Sequence, residues 1–476
     1  MRSRCSLLSS VPTAFSRGPH TNSSMTKQKD AKAAKWTEAK VDETPFGLPH
    51  WVHTVFVPLF IMTSTFFTAP TVWIICTAFK GDLVEFVQNL HKVPLLWPSP
   101  TFEAAKIIGW FAALNVALLL LVPSKRLLGP ITPEGNQPVY RLNGVSCFLL
   151  NHVILYIGGA VFKLYNLGIV YDHLGSILVT LSYFALLGCF LLYVKGRLAP
   201  TNKDASVTGN PIMDYYWGVE LHPAVLGVSL KQIANCRLGM MCWSVMLWSY
   251  LFKQAELYGS VSNSMILSVV LQSVYCLKFF HWEGGYFHTL DIMHDRFGYY
   301  IFWGVMVWIP SVYTLTGMWL VEHPIELSPV YFYSVLAFGL FSIYVNYEAD
   351  AQRTSRSPPQ LCRATQGKCK IWGKDPEMIT ATYYTAEGTP RTNLLLVSGW
   401  WAVARHFHYV PELALSLAWS LPAQYGGFIP YFYLVYLTVL LVHRSGRDEL
   451  RCSDKYGKDW EKYKARVPYR MVPFLY

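Results

Sequence analysis

The sequence predicts an all-α fold: a polytopic membrane protein with about ten transmembrane helices. Three observations lead there. Of 476 residues, 53% are hydrophobic and only 14% charged, where a soluble domain carries about 25% charged residues. Apolar stretches near the roughly 20 residues needed to span a bilayer recur along the chain. Those stretches run on without alternating apolar and polar residues, which argues against a membrane β-barrel. Helices meet their own backbone hydrogen-bond needs in lipid, so they are the expected spanning element.

Residues 1–50 form a polar, basic tail that reads as disordered. Its start, MRSRCSLLSSVPTAFSR, is rich in Arg and Ser and free of acids. It fits a transit-like leader or an extension upstream of Met25. Spans are expected near 52–78, 104–123, 146–164, 174–195, 238–257, 262–282, 298–321 and 329–347, with two more near 394–420 and 425–443. Residues 200–235 are mixed and punctuated by Pro and Gly, as in a loop with a surface helix. Residues 348–393 are polar and basic, with Arg353, Arg356, Arg363, Lys368 and Lys370. The chain thus divides into the tail, a transmembrane region over 51–347, and a C-terminal region over 348–476 holding the last membrane helices.

The formal charge is +11. Nucleic acid is one partner for a basic protein, but here the basic residues sit in short segments between apolar runs. That pattern suits loops under the positive-inside rule or a site for an anion. The ten cysteines are scattered, with no C-x-x-C pair, and several lie in apolar runs. They read as buried free thiols, with no zinc site or disulfide framework.

Within 394–420, Arg405, His406 and His408 sit among aromatics. A charge near mid-bilayer costs roughly 2.5–3.5 kcal/mol on insertion scales. Arg405 either snorkels at a helix end or contacts an anion in a pocket. The strongest signal is LLVHRSGRDELRCSDKYGKDWEKYKARVPYR over 440–470. Arg444, Arg447, Arg451 and Lys455 follow at helical spacing and line one stripe. Such a stripe serves lipid headgroups or phosphates, which guanidinium forks pair bidentately. Asp448 within it is wasteful for lipid and useful for orienting a ligand.

That run resembles the C-terminal signature of the sterol reductase family, with His443, Arg444, Arg447, Asp448, Cys452, Lys455, Tyr456 and Gly457 at its fixed positions. TGNPIMDYYWGVELHP, NCRLGMM, TLDIMHDRFGYY, GKCKIWG, SGWWAVARHFHYV and PYFYLVYLTVLLVHR are similar to the family too, closest to its sterol delta-7 branch. The resemblance implies a ten-helix fold in the endoplasmic reticulum membrane, NADPH as cofactor, and reduction of the C7–C8 double bond of a 5,7-diene sterol. It implies the bilayer and the sterol as partners, with possible association with other sterol-biosynthesis enzymes and no nucleic acid. It implies cofactor contacts from Arg444, Asp448, Cys452, Ser453, Asp454, Lys455, Tyr456 and Tyr463. Further contacts carried over are Leu396, Trp401, His408 and Tyr409, with Arg353 and Arg363 upstream. There is no G-x-G-x-x-G after a strand, so the dinucleotide is expected between membrane helices.

Such a reduction needs a proton for one carbon, a hydride for the other, and a dry slot that aligns a rigid apolar substrate. Acid candidates crowd residues 279–300: Glu283, Asp291, His294 and Asp295. A polar interfacial loop explains the same residues without chemistry. Tyr409 and Tyr313 are further donors; Tyr409, Asp295 and Glu283 are taken as the catalytic set. Lys278 stands where the family often has an acid, and Ala224 where it has an Arg. Three other functions fit less well. They are a delta-14 sterol reductase, a non-catalytic sterol-binding member, and an isoprenylcysteine methyltransferase, whose C-terminal run KYGKDWEKYKARVPYR resembles.

Overall fold

A computed structural model describes residues 49–132, 134–354, 370–384 and 388–476. The tail over 1–48 and Arg356, Arg363 and Lys368 lie outside the described residues. In chain order the main helices are α1 (Val52–Ala78), α2 (Phe102–Leu121), α3 (Gly144–Val161), α4 (Leu174–Leu198), α5 (Met240–Tyr258) and α6 (Asn263–His281). There follow α7 (Tyr299–Glu322), α8 (Pro329–Arg353), α9 (Tyr409–Ser420), α10 (Phe432–Tyr456) and α11 (Lys458–Arg466). Seven of these, α1–α4 and α6–α8, are long and apolar enough to cross a membrane.

Three of the ten expected spans fall outside these seven. The expected span near 238–257 is a helix, α5, but Lys253, Gln254 and Glu256 near its end leave it outside the seven. The stretch 394–420 is no single helix: it opens as a strand, turns through Trp400–Val403, and only then enters α9. The stretch 425–443 begins to be helical at Ile429–Tyr431 and continues as α10 well beyond its apolar part. Nor is the fold purely helical. Three antiparallel hairpins pair β1 (Lys125–Leu128) with β2 (Val139–Leu142), β3 (Ala224–Val225) with β4 (Val228–Ser229), and β5 (Met378–Tyr384) with β6 (Pro390–Leu396). Over 200–235 the expected loop and helix are present, the helix being Pro211–Trp217, with Asn210 capping it and proline in its first turn.

Local chemistry sets the helix ends. Thr101 caps α2 through Ala104 N at 3.2 Å, and Ser262 caps α6 through Met265 N. Gly259 ends α5 in the left-handed region. Between Gly304 and Tyr313, α7 loosens into wider turns around Pro310, which has no N–H to give the ladder.

The core lies between α5, α6, α7, α9 and α10, with Trp243, Trp303, Tyr250, Tyr299 and Trp419 buried. Lipid offers no hydrophobic drive between helices, so packing and interhelical hydrogen bonds hold them, at roughly 0.6 kcal/mol per bond. One such chain runs Trp243 Nε1 to Gln272 Oε1 (2.9 Å), Gln272 Nε2 to Ser268 Oγ (3.0 Å) and Ser268 Oγ to Trp419 O (2.9 Å). One backbone crossing is equally tight. Gly218, at φ +98°, would place a Cβ 2.5 Å from Gly298 N.

Candidate functional site

α10 builds the site. Its buried face, Tyr433, Leu437, Leu441, Ser445, Glu449, Cys452 and Tyr456, repeats every three or four residues and anchors it to the core. An adjacent stripe, Arg444, Arg447, Asp448, Arg451 and Lys455, faces a continuous cavity of about 2670 Å³. Deep in that cavity the wall is aromatic: Trp243, Tyr275, Trp308, Tyr313, Tyr433 and Tyr436. Tyr313 lies 4.6 Å from Tyr433 and 5.2 Å from Trp243, ring centre to ring centre. The same cavity therefore has a cationic end and an apolar aromatic end.

The hairpin β5–β6 closes the cationic end. Its residue Ala381 and, just after β6, Val397 pack with Cys452, Tyr456, Trp460, Tyr463 and Val467, and Thr382 N donates to Asp459 Oδ2 at 3.1 Å. Asn393 Nδ2 donates to the Tyr456 hydroxyl at 2.9 Å. Lys455 Nζ lies 4.1 Å from the Tyr383 ring centre. The sequence reading overlooked this hairpin, although MITATYY is the β-branched and aromatic pattern of a strand and Gly388, at φ +76°, stands in its connection.

Of the residues expected at a cofactor site, Arg353, Leu396, Trp401, His408, Tyr409, Arg444, Asp448, Cys452, Lys455, Tyr456 and Tyr463 all line the cavity. Ser453 and Asp454 do not: the helix turns them away from it, and Asp454 is exposed. Trp401 is fixed by Nε1 donating to Ala349 O at 2.8 Å, and the Arg353 guanidinium lies 5.0 Å from its ring. His408 packs against Trp401 (5.0 Å) and Tyr409 (4.1 Å). His408 Nδ1 and the Nε and Nη1 of Arg451 are buried without a protein hydrogen-bond partner, and buried polar atoms of that kind are as a rule satisfied.

Arg405 lines the cavity and is already engaged within the protein. Its Nε donates to Glu449 Oε1 (2.6 Å) and its Nη1 to Val467 O (2.6 Å) and Pro468 O (2.9 Å), tying α10 to the C-terminal segment.

The acid-rich loop between α6 and α7 is mostly committed to pairing. Glu283 is absent from the cavity wall. It accepts from Arg237 (2.5 Å from Nη1, 3.2 Å from Nη2) and from Gly144 N at 3.1 Å, all buried. Asp295 likewise lies off the wall and accepts from Arg447 Nη2 at 2.8 Å. Burial pushes the Asp295 carboxyl up, with Arg447 opposing. Asp291 pairs with Arg444 and does line the cavity. His294 lines it too, exposed to the cavity; desolvation by the surrounding protein, then the charges of Arg451 and Lys455, hold it well below the usual histidine range. Lys231, fully buried, stitches this loop by donating to three carbonyls: Asp291 (3.0 Å), Ile292 (2.9 Å) and Asp295 (2.5 Å). Three acceptors use all three N–H groups of an ammonium.

Lys278, the departure noted in the sequence, takes part in a network on the cavity wall. Its Nζ donates to Asn346 Oδ1 (2.5 Å) and Asp350 Oδ2 (3.0 Å). Asn346 Nδ2 donates to Glu412 Oε2 (3.0 Å), and Tyr275 donates to Glu412 Oε1 (2.6 Å). No motif pointed to Asn346, Glu412 or Tyr275, since the polar contacts arise only when α6, α8 and α9 meet.

Comparison with known proteins agrees with this architecture. Residues 45–476 match the ergosterol biosynthesis ERG4/ERG24 family. The chain is 47% identical over 391 residues to a 7-dehydrocholesterol reductase of Arabidopsis thaliana, covering 82% of this chain and 88% of that one. It is 39% identical over 408 residues to a 7-dehydrocholesterol reductase of Danio rerio, covering 83% and 84%. A Delta(14)-sterol reductase of Methylotuvimicrobium alcaliphilum is 34% identical over 415 residues, covering 85% and 91%.

Proposed function

The chain belongs to the ergosterol biosynthesis ERG4/ERG24 family of sterol reductases, and from that premise we propose that it reduces the C7–C8 double bond of a 5,7-diene sterol with NADPH in the endoplasmic reticulum membrane. The observation that carries this reading is the single cavity with a cationic end on α10 and an aromatic end among α5, α6, α7 and α10. A dinucleotide needs the first and a rigid hydrocarbon needs the second; hydride transfer needs them joined. The buried, unpartnered donors of Arg451 and the unpartnered His408 Nδ1 fit a polyanionic, hydrogen-bonding guest.

When bound, NADPH supplies the hydride for one carbon of the double bond. The chain's own residues do the rest. Arg353, Arg444, Asp448, Lys455 and Tyr456 hold the cofactor, with Leu396, Trp401, His408, Cys452 and Tyr463 shaping its bed. Tyr409 gives its hydroxyl proton to the other carbon: its O–H bond breaks as the C–H bond forms, and the phenolate regains a proton from solvent at the polar end. Burial keeps the Tyr409 phenol protonated until it donates, and the charge of Arg444 opposes that effect. Glu283 and Asp295, already ion-paired away from the wall, are positioning residues in this scheme. The aromatic wall keeps water from the developing cation.

Microsomes carrying the protein, given a 5,7-diene sterol and NADPH deuterated at the nicotinamide 4-position, are expected to yield the 5-ene with one deuterium. Unlabelled product, or turnover of delta-14 substrates alone, overturns the proposal. The likeness to the Delta(14)-sterol reductase makes that the second reading. The delta-7 relatives are the more identical.

A further inference from the structure

The cations along α10 are not equivalent. Arg444 is paired with Asp291, and Arg447 with Asp295 at 2.8 Å. Each guanidinium therefore has its own carboxylate before any ligand arrives. One and two turns further on the balance changes. Arg451 pairs with Asp448 through one nitrogen alone, Asp448 Oδ1 lying 3.3 Å from Arg451 Nη2. Lys455 has no carboxylate partner among the described residues; its Nζ sits 4.1 Å from the Tyr383 ring centre and 5.1 Å from that of Tyr456. Arg451 leaves Nε and Nη1 buried with no hydrogen-bond partner. Arg391, directly across from Tyr383 in the hairpin, adds a third cation to the same wall. Burial, and then the charge of Arg451, make the Lys455 ammonium costlier. An excess of dehydrated positive charge over an aromatic floor is a site for a compact, multiply charged anion.

We propose that Arg451, with Lys455 and the Tyr383 floor, reads the 2′-phosphate that distinguishes NADPH from NADH, and so sets the nicotinamide cofactor preference. The inference rests on the functional reading above and deepens it. A phosphate monoester carries nearly two charges and three acceptor oxygens, which suits the unpartnered Nε and Nη1 donors of Arg451 beside the Lys455 ammonium. The two neutralised pairs nearer the aromatic end have no such surplus. The phosphate-bearing end of the cofactor therefore lies at the hairpin, and the nicotinamide lies toward Tyr409.

The test uses the full chain in detergent or nanodiscs. It measures kcat/KM for NADPH and NADH, and competitive inhibition by adenosine 2′,5′-bisphosphate against 5′-AMP. The ratio of NADPH to NADH efficiency is expected to fall about 30–100-fold in Arg451→Leu, as for loss of charge-assisted hydrogen bonds. The preference for the bisphosphate inhibitor should fall with it, and Arg451→Lys should restore part of both. A general folding defect lowers both efficiencies and leaves their ratio in place. An unchanged ratio in Arg451→Leu therefore overturns the inference while leaving the functional reading intact. So does a variant that keeps the ratio and loses only its affinity for vesicles of anionic phospholipid, which assigns the pair to headgroups. Wild-type protein that oxidises neither cofactor in the presence of sterol removes the functional reading itself.

Discussion

Arg447 on α10 and Asp295 in the loop before α7, 152 residues apart in sequence, meet at 2.8 Å with the carboxylate buried. Removing one member of such a pair strands a charge, at about 3–5 kcal/mol. Arg447→Ala is therefore expected to lower the thermal stability of the solubilised protein severely. Arg447→Ala combined with Asp295→Ala should be milder than the single change. Melting curves of the two variants side by side check this.

Asp448 lines the cavity and sits against Arg451 on the same helix. Asp448→Ala is expected to raise the apparent KM for NADPH by about tenfold, equivalent to roughly 1.4 kcal/mol, with normal amounts of protein in membranes. Arg444→Ala should do the same and also reduce the amount of protein, since it leaves Asp291 unpaired. Cofactor titrations with immunoblots separate the two effects.

Glu283 tests whether density of acids means catalysis. Its carboxylate is shared between Arg237 and Gly144 N. Glu283→Gln is expected to reduce folded protein while the turnover per surviving molecule stays within about twofold, because it breaks a buried ion pair rather than a proton path. A tenfold drop in turnover at full protein level contradicts this.

His294 carries a pH dependence with a definite sign. Its proton affinity is lowered by desolvation within the cavity and by Arg451 and Lys455, so it is neutral in the folded protein while an unfolded chain still binds a proton near pH 6.5. The unfolded state then binds more protons, so stability is full above that value and declines as pH falls through it. Thermal inactivation should quicken between pH 7 and 5, and His294→Asn should flatten that slope.

Gly218→Ala places a methyl into the backbone at Gly298 and forces a left-handed φ on a side chain that avoids it. Near-complete loss of folded protein is expected in size-exclusion profiles; a normal profile contradicts the crossing.

How far the sequence carried these conclusions varied with the physics involved. α1–α4 and α6–α8 were readable because a run of apolar residues has one use in lipid. The stripe on α10 was readable because helical spacing alone places Arg444, Arg447, Arg451 and Lys455 together. The hairpin β5–β6 was not seen, since Leu394, Leu395 and Leu396 ending a strand look like the start of a membrane helix. The roles of Arg405, Glu283 and Lys278 were also hidden. A charge in an apolar stretch advertises that it has a partner, but Glu449, Arg237 and Asp350 come from other elements, and only the folded chain selects them.

The joined cavity makes occupancy of its two ends a shared property. Tyr300, Tyr409 and Arg444 line the same cavity, and a guest at one end that shifts any of them changes the affinity of a guest at the other. By linkage that dependence is equal in both directions. A hydrocarbon inhibitor that tightens in the company of the dinucleotide must tighten the dinucleotide by the same factor, and assays run at a single cofactor concentration will misjudge its strength.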